Sequence, residues 1–316
     1  MTTVGEKSSD VATLLDDIAN ILTNLGGWSD ADTDVTNDQT NNNYKNNGRV
    51  LKHADTTIYL LMYISNGFSS PNNNEVSGIR FLYSNDWDTG ANQPNGKSNQ
   101  DDNDRPNGGI NRENSFTNTY INNNNSGMGL WFKTRQLNID DVATSQINYF
   151  VSGRNDGLTV GAWDTADSNY GGVGWINWEY VDNKFWSDGE PSVATAYQLI
   201  TPNNNREGGA LYSFNSIGLS KQAVKVGNNQ SAVNHSRWGK VNPDSNDDTF
   251  FFRRPVIYET LSRNNPVAYM EDAIPNDKNS GGAHGDTITH DGDAYKILKQ
   301  SGASKSKTLT VGLRFN

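Results

Sequence analysis

His284, Asp286, His290, Asp291 and Asp293 fall within ten residues of one another, in the stretch GGAHGDTITHDGDAYKIL at 281–298. Imidazole and carboxylate are the ligands of many transition-metal centres, so metal chemistry is the first reading of this segment. Spacing constrains it. Alternate residues of an extended strand face opposite sides, which lets His284, Asp286 and His290 share one side and sets Asp291 on the other. Neither an HExxH helix nor a two-histidine, one-carboxylate triad can be recognised. The same residues also read as a β-hairpin, with Thr287–Thr289 and Ala294–Leu298 flanking His290 to Asp293, because Asp-Gly supplies the positive φ of a tight turn.

Calcium, magnesium or sodium would require only oxygen ligands on a loop. The acidic stretches 84–109 and 242–249 offer Asp101, Asp102, Asp104, Asp244, Asp247 and Asp248 as candidate ligands for a structural cation, although neither keeps the register of an EF-hand loop. No other cofactor is expected. The glycines at 171–174 and 208–209 form neither GxGxxG nor a P-loop, and GxSxG is absent, so nucleotide binding and serine hydrolysis lack their usual geometry. Glu179 and Glu190 could pair as glycosidase carboxylates, but an acidic chain contains many such pairs. The chain is therefore expected to carry no catalytic residue and not to be an enzyme.

The segment AWDTADSNYGGVGWINWEYVDNKFWSDGEP is unusually aromatic. Trp175 and Trp178 are an odd number of residues apart and cannot line one face of a regular strand, which argues against a flat sugar-stacking platform. Trp163, Trp175, Trp178 and Trp186 read instead as core or subunit-interface aromatics. A glycan-binding surface remains the alternative.

Composition sets the frame for these elements. Of 316 residues, 34% are hydrophobic and 20% charged, so neutral polar residues displace apolar ones and the core must be thin. Asn runs at 41–43, 72–74, 122–125 and 203–205 read as exposed turns that cut the chain into short pieces. A net charge of −10 disfavours nucleic acid and anionic membranes as partners, and it suits a surface that stays hydrated in concentrated salt. With no cysteine, disulfides and thiolate chemistry are excluded. Neither a signal-like apolar run nor eighteen consecutive apolar residues occur, so synthesis in the cytoplasm without membrane entry is expected. Sequons at Asn124, Asn229 and Asn234 occur in polar stretches.

One helix is predicted. Val11, Leu14, Leu15, Ile18, Ile21, Leu22 and Leu25 recur at the spacing of one helix face, with Ser8 or Ser9 as cap and Gly26 and Gly27 as stop. Their stripe can either cover a domain edge or serve as an assembly helix between subunits. Residues 28–47 read as a polar linker. From residue 49 onward β-branched and aromatic runs bounded by Asn and Gly predict strands, including a second hairpin at INYFVSGRNDGLTVGAW with its turn over Arg154 to Gly157. The expected architecture is mainly β: an antiparallel β-sandwich or barrel-like core with long polar loops and one N-terminal amphipathic helix. Residues 1–47 form the helix and linker, and 48–316 a β-rich domain with a division near 135 left open.

INYFVSGRNDGLTVGAW, GGVGWINWEY, FFFRRPVIYE, VAYMEDAI and GDTITHDGDAYKIL together resemble virion structural proteins from the tail modules of tailed viruses, including those infecting haloarchaea. The similarity spans roughly residues 130–300. It implies a non-enzymatic, multi-copy component of the virion, at the tail tip or baseplate. Its partners would be itself as a homo-oligomer, other virion structural proteins and a host-surface glycoprotein or glycan. Capsid decoration and a glycan-binding adhesin are the alternatives. No active-site residue is implied, and the acidic hairpin becomes a family hairpin.

Overall fold

The computed structural model describes residues 2–33, 48–54, 59–65, 77–84, 87–90, 93–94, 129–133, 139–154, 157–164, 173–181, 192–200, 205–215, 218–222, 224–226, 256–259, 266–269, 272–276, 283–299 and 310–315. Strand β1 (Thr2–Asp10) leads directly into helix α1 (Val11–Asn24), followed by β2 (Trp28–Asp32), β3 (Gly48–His53), β4 (Tyr59–Ser65) and β5 (Ser77–Ser84). Two short strands, β6 (Trp87–Asp88) and β7 (Gln93–Pro94), precede β8 (Gly129–Lys133) and the single-turn helix α2 (Ile139–Ala143). A meander then runs through β9 (Gln146–Arg154), β10 (Gly157–Trp163), β11 (Val173–Val181), β12 (Ser192–Ile200), β13 (Asn205–Asn215) and β14 (Gly218–Gln222). The remaining strands are β15 (Val224–Val226), β16 (Val256–Glu259), β17 (Pro266–Tyr269), β18 (Ala273–Asn276), β19 (Thr287–His290), β20 (Asp293–Lys299) and β21 (Thr310–Arg314).

All pairings are antiparallel. The largest sheet has seven strands in the order β1-β9-β10-β11-β12-β13-β14, and a five-stranded sheet runs β2-β3-β4-β5-β8. Near the C-terminal end, β18-β21-β20-β19 form a four-stranded sheet.

The predicted helix is present, but Asp10 caps it in place of Ser8 or Ser9. Its carboxylate accepts from the Thr13 amide at 2.7 Å, while both serines are already paired with β9. Gly26, at φ 79, supplies the left-handed residue that ends the helix. The apolar stripe is spent inside the chain: Val11, Leu14, Ile18 and Leu22 are fully buried, Leu15 and Ile21 nearly so, and Leu25 packs at the margin. One core joins this stripe to Leu51, Leu60, Met62, Ile79 and Phe81 of the five-stranded sheet and to Ile147, Tyr149, Val151, Leu158 and Val160 of the seven-stranded sheet. The stripe read as an assembly helix, Leu14, Leu15, Ile18, Ile21, Leu22 and Leu25, thus packs against two sheets of its own chain.

The N-terminal segment also pairs with later strands. Residues 2–10 add a strand to β9, and Trp28–Asp32, read from sequence as linker, pairs with β3. Trp28 anchors it, 3% exposed and edge-on to His53 at 4.9 Å. As the outer strand of the large sheet, β1 carries a bulge between Val4 and Lys7, and Lys7 turns toward the helix to pair with Asp17 at 3.0 Å. A bulge and an inward charge both discourage further strand pairing at an edge.

Strand β10 is buried along its whole length because both faces of the large sheet are covered here. Leu158, Val160 and Ala162 face the helix side, and Thr159, Gly161 and Trp163 face the C-terminal sheet. A Cβ on Gly161 would stand 2.5 Å from the Phe150 ring and 2.7 Å from Leu298, so only glycine lets the two layers approach this closely. Phe150 meets Phe315 edge-on at 5.5 Å in the same seam.

Candidate functional site

The hairpin predicted at 287–298 forms as expected. His290 pairs with Asp293, leaving Asp291 (φ 52) and Gly292 (φ 89) as a two-residue loop with both φ values positive, the signature of a type I′ turn. The other predicted hairpin also forms where expected, with Gly157 paired to Arg154 across the β9–β10 connection.

The hairpin's acidic and imidazole groups diverge. His284 lies edge-on to Trp163 at 4.7 Å, Asp286 accepts from the Ala283 amide at 2.6 Å, and Asp293 accepts from Arg314. His290 and Asp291 make a 3.3 Å pair at the surface, where such pairs contribute little. Among the described residues no three histidine, aspartate or glutamate side chains converge to hold a metal. Asp101, Asp102, Asp104, Asp244, Asp247 and Asp248, together with Trp186, Glu190 and the three sequons, lie outside the described residues. Trp163 and Trp175 are 9% and 1% exposed, so they serve as core within this chain and neither can stack on a sugar. Trp178 is at a register position opposite Leu158.

The most organised polar group is one that the sequence reading missed. Asp272, 1% exposed, receives Arg154 Nε on Oδ2 at 2.9 Å and Arg314 Nη1 on Oδ1 at 3.4 Å. Arg314 Nη2 continues to Asp293 Oδ1 at 2.5 Å, and the Arg314 amide donates to the Asp272 carbonyl at 2.7 Å. Burial pushes the Asp272 carboxyl above its ordinary value, against the pull of the two guanidinium groups. Burial alone would lower Arg314, but Asp272 and Asp293 outweigh it and hold the guanidinium above its ordinary value. Strand β9, the residue before β18, the start of β20 and the end of β21 are thus fastened at one point. The chemistry these contacts show is electrostatic cross-linking.

Three further ties follow the same plan. Arg49 spans Asp16 at 3.1 Å and Asp30 at 2.6 Å, and Lys296 reaches Glu6 at 3.0 Å. Asp17 on α1 accepts from both Lys7 and the Tyr149 hydroxyl, the latter at 2.5 Å. Burial first, then the Asp17 carboxylate, raises the Tyr149 phenol far above its ordinary value. The folded chain therefore keeps this proton at a pH where the unfolded chain gives it up. Stability from this group is present below about pH 10 and is lost as pH rises beyond it, by about 1.4 kcal/mol per pH unit. Urea midpoints measured on either side of about pH 10 should fall more steeply for the natural protein than for Tyr149→Phe. Equal slopes would mean that Tyr149 is not held protonated.

No protein-family model matches the chain, and no curated protein matches it.

Proposed function

We propose that this chain is a non-enzymatic structural component of a tailed-virus particle, present in several copies at the tail tip or baseplate and assembling with itself and other virion proteins. The observation that carries this reading is the use made of charge. Asp272, Arg49, Asp17 and Lys296 each bind side chains from distant segments and fasten one layer of the fold to another. Such cross-ties suit a part whose task is to hold its shape. In this reading the seven- and five-stranded sheets are the two leaves of a β-sandwich, with α1 between them and the C-terminal sheet as a third layer. The closing hairpin, with its type I′ turn at Asp291 and Gly292, supports the resemblance to tail-module proteins. A net charge of −10 supports a haloarchaeal host, where salt screens the self-repulsion of an acidic surface.

Immunogold labelling of purified particles, in the salt of the growth medium and with an antibody proven on the native chain, tests the placement. Gold at the distal tail is expected. Gold over the heads would move the role to capsid decoration. A chain missing from disrupted particles would overturn the virion reading.

A further inference from the structure

The register of four neighbouring strands sets Thr3, Ser152, Thr159 and Asn177 in one line across the large sheet. By strand alternation this line lies on the face turned to the C-terminal sheet, the face that also bears Phe150, Gly161 and Trp175. Those three occupy the next row to one side. Arg154, held by Asp272, begins the row on the other. A strip of short polar side chains thus runs between an aromatic row and a charged one.

Ser152, Thr159 and Asn177 are all 0% exposed. Ser152 and Thr159 stand directly opposite each other, yet among the described residues Ser152 Oγ and Thr159 Oγ1 have no hydrogen-bond partner and do not bond to one another. Buried hydroxyls are almost always satisfied, by protein or by ordered water. Alanine and valine would fill the same strand positions without a polar atom to satisfy, so two hydroxyls side by side call for a guest between them.

Charge balance selects the guest. Among the described side chains, Arg154 and Arg314 beside the strip are paired with Asp272 and Asp293, so these charges are spent on one another and not on a guest. Each hydroxyl both donates and accepts, so a small neutral molecule with the same capacity satisfies both. We infer that ordered water is built into this seam, bridging Ser152 Oγ and Thr159 Oγ1 beneath the C-terminal sheet. The assembly role proposed above plays no part in the inference.

Oxygen-17 magnetic relaxation dispersion on the whole chain counts internal waters of long residence. Against the natural protein, Ser152→Ala combined with Thr159→Val should lose about one or two such waters, whereas Thr159→Ser, which keeps a hydroxyl, should keep the count. An unchanged count in the folded double variant would overturn the inference. If the double variant does not fold, a high-resolution crystal structure of the natural chain decides. Density within hydrogen-bond distance of both hydroxyls that refines as water supports the proposal. Hydroxyls bonded to protein groups alone, or a halide found there by anomalous scattering after a bromide soak, would sink it.

Discussion

Leu14→Ala is expected to lower the unfolding free energy by about 3 kcal/mol, the middle of the range for emptying a buried leucine site. Leu14 is 0% exposed and sits in the helix stripe shared by the two largest sheets, so several layers line the cavity and local collapse is restricted. Concentration dependence makes this result informative. A stripe buried within the chain gives the same loss over about a hundredfold range of protein concentration, whereas a stripe buried between subunits gives a midpoint that rises with concentration. Chemical denaturation of both proteins at several concentrations reads the two quantities together. A midpoint difference that varies with concentration would return the helix to an assembly role.

Asp272→Asn should cost a similar amount, about 3 kcal/mol, for a different reason. A buried ion pair adds little net stability against an apolar replacement, but removing one partner strands the other charge. Here the carboxylate is 1% exposed and serves two arginines, whose side chains are 20% and 22% exposed. Residual solvent at the arginines and the surviving Asp293 contact set the cost at the low end of the range for a broken buried pair. The damage should be local first, with backbone amides of β20 and β21 exchanging hydrogen faster than those of β9 and β10. Melting within a degree or so of the natural protein would show that the network is incidental.

Where sequence and fold agree, the signal was local. The helix is legible because seven apolar residues repeat at helical spacing, and the turn at Asp291 and Gly292 because that dipeptide admits two positive φ values. What covers the helix was not legible, since a stripe looks the same whether its own chain or another buries it. β1 escaped because Val4 is the sole strongly apolar residue in Thr2–Asp10, and an edge strand is held largely by backbone hydrogen bonds and by ties such as Lys7 to Asp17. In Trp28–Asp32 the polar residues masked a strand anchored by one buried tryptophan. The Asp272 network left no local trace: its partners are 118 and 42 residues away.

The hydroxyl of Thr3 donates to the Phe315 carbonyl at 2.9 Å across a separation of 312 residues, and β1 has no sheet to join until β9 exists. On a translating ribosome that separation is a delay. At ordinary synthesis rates it amounts to roughly 15 to 60 s. Through the earlier part of that interval the apolar side of the first helix has emerged while half of its cover is still unmade. A message that stalls before β9 would thus release a product with its most adhesive surface uncovered.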